Sequence, residues 1–117
     1  MKKVYYLSTC STSKRIINDF DLNNRGFEFQ DIKTEKITGE QITQMKELAS
    51  SYEALFSRIA RKYKELGLKE RNLSEDDYRN FILDEYTFLK RPVIILDEKI
   101  FIGSTKPNLQ LLAEALG

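Results

Sequence analysis

The chain holds a single cysteine, Cys10, in the stretch STCSTSKRIINDF at positions 8 to 20, between an apolar run and a segment with helical spacing. A thiol at that place has two readings, a nucleophile or a small buried hydrophobe. Strand 1 is expected to end near Leu7 and the first helix to begin near Thr12 or Ser13, which sets Cys10 among unpaired backbone N–H groups at the positive end of a helix dipole. Such a place favours a thiolate, and Lys14 and Arg15, one turn on, add positive charge that lowers a thiol pKa below its free value of roughly 8.5. Ser11, Thr12 and Ser13 offer hydroxyls to the sulfur, and any of them equally suits plain N-capping.

The spacing around Cys10 rules out several chemistries. A phosphatase-type anion loop needs arginine six residues after the cysteine, where this chain has Ile16, with Arg15 one short. A Cys-His dyad is excluded because there is no histidine. A C-x-x-C redox motif has Ser13 at its second position, which leaves a one-thiol version that needs an outside thiol to resolve it. One thiolate and carboxylates make a poor zinc set, so no metal is expected. A second candidate element is KRPVII, where Pro92 stands directly before an apolar strand and Arg91 before the proline.

The elements that must position these residues read as β-α-β, a helical block, then β-β-α. VYYL (4–7) is a strand, and Ile16, Ile17 and Phe20 mark one helix face that stops at Gly26. FEFQDI then alternates as a second strand, parallel to the first because a helix makes the crossover. Three apolar stripes follow: Ile42, Met45, Leu48 and Ala49; then Tyr52, Leu55, Phe56, Ile59 and Tyr63; then Tyr78, Phe81 and Ile82. Gly67 stops the second, and Ser74 with Asp77 approximates a capping box for the third, which predicts three packed helices. VIIL and IFIG flank a tight DEK turn, and the end is a helix with Pro107 in its first turn.

Composition bounds the partners. At 117 residues the chain is read as one domain, and 19 Lys+Arg against 18 Asp+Glu give none of the excess expected of a nucleic-acid binder. The tyrosines are read as core-edge residues, and the basic SRIARKYK stretch as a solvated helix face. No apolar run approaches the roughly 20 residues of a membrane span, the start lacks the pattern of a signal peptide, and the chain is read as cytoplasmic.

CSTSKR, YKELGLKERNLSEDD and KRPVII together resemble the motifs of the ArsC/Spx family, C-x-T-S-(R/K), Y-x-E-L-G-L followed by L-S/T-D-D, and R-P-(I/V). The resemblance covers essentially the whole chain. It implies an α/β, thioredoxin-like fold, a βαβ half (1–37) and a ββα half (90–117) sharing a mixed four-stranded sheet, with an all-helical insertion at 38–89. It implies Cys10 as nucleophile, Arg91 as the arginine before a cis Pro92, and a reaction like that of the family's arsenate reductases, in which an oxyanion is attacked and the adduct passed to glutathione and glutaredoxin. On that reading Ser13 and Lys14 support the thiolate, while Ser11, Thr12, Arg15, Arg58 and Pro92 shape the anion site. Glutathione is then a co-substrate, with no bound cofactor, and glutaredoxin or another external thiol is the partner. The chain departs from the reductase pattern at Ser57, where the family has an arginine and Arg58 stands next to it, at Gly103-Ser104 after the last strand, and at Tyr6, which replaces a histidine. Losing a bidentate guanidinium weakens oxyanion binding. DEKIFIG resembles instead the ending of the Spx branch, which implies an alternative: a regulator that binds the RNA polymerase α subunit.

Overall fold

A computed structural model of the chain describes all 117 residues. β1 (Lys2–Tyr6) runs beside β2 (Glu28–Asp31) on one edge and β3 (Val93–Leu96) on the other, and β4 (Lys99–Ile102) completes a four-stranded sheet in the order β2-β1-β3-β4. β1 and β2 are parallel, as a crossover through α1 (Ser11–Asp19) requires, whereas β1–β3 and β3–β4 are antiparallel. The sheet is therefore mixed, and the α/β architecture expected from the sequence is present.

Register decides which side chains share a face. Phe29, Val4, Ile94 and Phe101 form one row across all four strands. Val4, Ile94 and Phe101 are buried there with Ile16 and Ile17 of α1, Leu22, Phe27, and Leu112 of α5 (Lys106–Leu116), so the two helices cover one face. The alternate positions Lys3, Tyr5, Gln30, Val93 and Ile95 are buried on the other face. Lys3 Nζ meets Glu28 Oε2 at 2.8 Å across the parallel pair and lies 5.4 Å from the centre of the Tyr5 ring. Burial first, then the charges of Glu28 and Glu35, push the Tyr5 phenol up to about 12.

The chain divides into two compact units, Met1–Glu35 with Arg91–Gly117, which holds the sheet, and Lys36–Lys90, which is helical. The helical unit contains α2 (Gly39–Ala49), α3 (Arg61–Glu65) and α4 (Glu75–Asp84). Its core gathers around Phe56, whose ring lies 4.9 Å from Tyr78 and stacks on Phe88 at 5.0 Å. Gly67 takes the left-handed conformation (φ 63°) after α3, the geometry expected of it as a stop. No helix is long and apolar enough to cross a membrane.

The second apolar stripe is not one helix. Glu53–Leu55 forms a single 3-10 turn, after which Phe56 is extended and bridges antiparallel to Leu89. Ser57 N–H donates to the Phe88 carbonyl at 2.7 Å and Lys90 N–H to the Leu55 carbonyl at 2.8 Å, so the backbone here pairs across the unit. Those bonds put Phe56 at the hub of the aromatic cluster and leave Ile59 92% exposed, so the helical spacing of Ile59 was coincidental. The first helix also starts earlier than expected, at Ser11, which makes Cys10 itself the N-cap.

Candidate functional site

Four residues join β1 to α1. Leu7 is buried and anchors a turn in which Cys10 N–H donates to the Leu7 carbonyl at 2.9 Å. Cys10 is extended (φ −99°, ψ 111°) and its carbonyl accepts the Lys14 N–H at 3.2 Å, the first bond of α1. The first turn carries no acidic side chain, so its N–H groups remain available to an anion. The Cys10 side chain closes no full capping hydrogen bond.

Ser13 stands at the third position of α1, fully buried, and its hydroxyl has no fully formed hydrogen bond either. Both its backbone N–H and its hydroxyl nevertheless bear on the sulfur. Burial is the largest single influence and pushes the Cys10 thiol up, but Ser13 N–H, Ser13 hydroxyl and the Arg91 guanidinium together outweigh it, and the thiol is held below its ordinary value. A neutral thiol is a weak acceptor and a thiolate a strong one, so donors that stop short of full bonds to the thiol are worth most to the anion.

Arg91 reaches this sulfur from the far end of the sequence, immediately before β3. The Arg91–Pro92 bond is cis, as the family resemblance implies, and Pro92 is buried. The fold thus brings Cys10, Ser13 and Arg91 together. Lys14 and Arg15 stand exposed on α1, as does Ser11, with Thr12 half-buried. Arg58 lies in the helical unit, where its Nη2 meets Glu53 Oε2 at 2.7 Å and Tyr78 Oη at 3.0 Å. The Glu53 bond is the main cause of its raised pKa, and the guanidinium is taken up by that carboxylate.

A residue that the sequence reading passed over also enters the site. Asp31, the last residue of β2, accepts Ser8 N–H at 3.3 Å and Lys33 N–H at 3.2 Å on Oδ1. Burial acts upward on this carboxyl, but the Ser8 hydroxyl, these two N–H groups and the Lys33 charge hold it below the usual carboxylate range. The signal in the sequence was local: an aspartate two residues before Lys33, placed for a side-chain bond to that N–H, where a strand ends.

The model of the ArsC family matches residues 5–110. No curated protein matches the chain significantly. Among solved structures, an arsenate reductase from Vibrio cholerae is 17% identical with a TM-score of 0.77, over 96% of this chain and 95% of its own. An arsenate reductase (ArsC) related protein from Brucella melitensis is 20% identical with a TM-score of 0.72, over 97% and 94%. A protein from Staphylococcus aureus COL is 24% identical with a TM-score of 0.76, over 95% and 97%. At these identities the likeness is one of fold.

Proposed function

Because the chain belongs to the ArsC family, we propose that it is an ArsC-type thiol oxidoreductase with one reacting cysteine, Cys10. The observation that carries this reading is the thiol at the open start of α1, made acidic by Ser13 and Arg91. Such a thiolate attacks an oxidised centre, and Arg91 is placed to receive the charge of an oxyanion. With arsenate, a sulfur–arsenic bond forms as an arsenic–oxygen bond breaks, and the oxygen leaves as water after taking up protons. Two electrons then come from two outside thiols, glutathione and a glutaredoxin or similar carrier, which end as a disulfide; water then cleaves the sulfur–arsenic bond, returning the Cys10 thiol and releasing arsenite. An outside supply is needed because the chain has no second cysteine.

The test is a coupled assay with glutathione, glutaredoxin and arsenate, using Cys10→Ser as the blank. Turnover that disappears in Cys10→Ser is expected; turnover that survives it overturns the assignment of Cys10. A second reading, a non-enzymatic protein that binds the RNA polymerase α subunit, is favoured by the DEKIFIG ending and by Ser57 in place of an arginine. Its test is capture of the purified C-terminal domain of that subunit, with no capture counting against it.

A further inference from the structure

We propose that Asp31 is a positioning residue for Cys10: by pinning Ser8, it fixes the turn that delivers the sulfur to the start of α1. The inference rests on the reading of Cys10 as the reacting thiol. The turn is held at both ends. At one, Leu7 is buried and Ile32 N–H donates to the Tyr6 carbonyl at 2.9 Å, continuing the β1–β2 pairing one residue past β2. At the other, Cys10 bonds back to Leu7 and opens α1 through its carbonyl, which accepts the Lys14 N–H at 3.2 Å, while Thr9 before it is exposed. Between them Ser8 is tied sideways, through its N–H to Asp31 Oδ1 at 3.3 Å across 23 positions of sequence. Asp31 is itself set by the Lys33 N–H, so the carboxylate is a strut between the end of β2 and the cysteine turn. With both ends held, the bond at Ser8 sets the path of the chain between them and so the placing of the sulfur, on which the donors of Ser13 and Arg91 act only at short range.

Charge alone predicts the opposite effect. A carboxylate near a thiol disfavours the thiolate, so removing a bare negative charge makes Cys10 more acidic. Removing a strut makes it less acidic, because the sulfur drifts from its donors. The sign of the change therefore separates the two roles.

Cys10 is the only cysteine, so alkylation by iodoacetamide reports on it alone. The rate is measured against pH in wild type, Asp31→Ala, Asp31→Asn and Asp31→Glu, with thermal unfolding of each. Asp31→Ala is expected to raise the midpoint and slow alkylation at pH 7 about three- to tenfold. Asp31→Asn keeps the Oδ1 acceptor and is expected to return the rate to within about twofold of wild type, a rescue that a bare-charge role does not give. Asp31→Glu, which keeps the charge and displaces the acceptor by one methylene, is expected to raise the midpoint by less, and stands as the deciding variant if Asp31→Ala does not fold. A low wild-type midpoint that Asp31→Ala or, in its place, Asp31→Glu leaves unmoved or lowers overturns this inference alone. A wild-type midpoint at the ordinary thiol value overturns the proposed function, and this inference with it.

Discussion

Helices α1, α2 and α4 begin on the same plan, with a residue at the N-cap whose side chain can accept a hydrogen bond and a second polar residue three places on, yet they finish it differently. In α2, Thr38 accepts the Gln41 N–H at 3.1 Å and Gln41 accepts the Thr38 N–H at 3.1 Å. In α4, Ser74 and Asp77 exchange the same pair of bonds at 3.2 and 2.9 Å, with Glu75, Asp76 and Asp77 all acidic in the first turn. These two starts are closed. The start of α1 has Cys10 and Ser13 in the corresponding places, no acid in the turn and no full bond from either side chain. A closed cap satisfies the helix's own N–H groups, and an open one leaves them to an anion from elsewhere, so the difference separates two starts closed by their own side chains from one left open.

The largest test of that contrast is Cys10→Ser. It is expected to abolish thiol-dependent turnover while raising stability, because serine at an N-cap closes the bond that sulfur leaves open. The gain is about 0.5–1 kcal/mol, or about 2–5 °C in melting temperature. Lost activity with lowered stability instead means that α1 was never short of a cap. The next largest is Arg91→Ala. Removing the guanidinium is expected to raise the midpoint of Cys10 alkylation and slow the reaction at pH 7, with Arg91→Lys between the two because it keeps the charge and loses the fork. An unmoved midpoint assigns the acidity of Cys10 to Ser13 alone.

A smaller and paired test sets one cap against the other. Ser74→Ala is expected to cost about 1 kcal/mol of stability and leave Cys10 alkylation unchanged, since it breaks a closed box in the helical unit. Ser13→Ala is expected to do the reverse, slowing alkylation at pH 7 about two- to fivefold while stability moves by less than about 0.5 kcal/mol. Its hydroxyl makes no full bond whose loss the folded protein would feel. Urea unfolding and alkylation on the same samples read both. Equal effects in the two variants dissolve the contrast.

What was legible in the sequence follows the range of the interaction. The Ser74–Asp77 box was read in advance, because both partners lie within one turn and both are common capping types. The Thr38–Gln41 box is as local and carries the same kind of signature, T-x-x-Q before the apolar Ile42, so it was equally open to reading. Phe56 misled, because its stripe has helical spacing while its backbone pairs with Leu89, a partner 33 positions away that no local pattern shows. In the site, Cys10 and Ser13 are legible from their place at a helix start, and Arg91 from the resemblance of KRPVII to the family's R-P-(I/V) motif. The fit of Arg91 to the sulfur, and of Asp31 to Ser8, joins separate strands and needed the β2-β1-β3 order to be seen.

The smallest expected effect is a dependence on pH that the two kinds of start should show differently. The Cys10 thiol is held below its ordinary value in the folded chain, so between that lowered pKa and the unfolded value of roughly 8.5 the unfolded chain binds more protons. Ionisation of Cys10 therefore adds stability as pH rises; the contribution is complete above the unfolded value and is lost as pH falls through the folded one. Cys10→Ser has no such group, so its advantage in stability over wild type should be widest near pH 5.5 and narrow toward pH 9. At α4, the Ser74 N–H and hydroxyl hold the Asp77 carboxyl below the usual range, and its contribution is complete above roughly 3.9. The deficit of Ser74→Ala should therefore stay level from pH 5.5 to 9. Urea unfolding of wild type and both variants across that range reads the two slopes together. A Cys10→Ser gap that stays level alongside the Ser74→Ala gap makes Cys10 a neutral occupant of its cap, and leaves α1 different from α4 in geometry but not in charge.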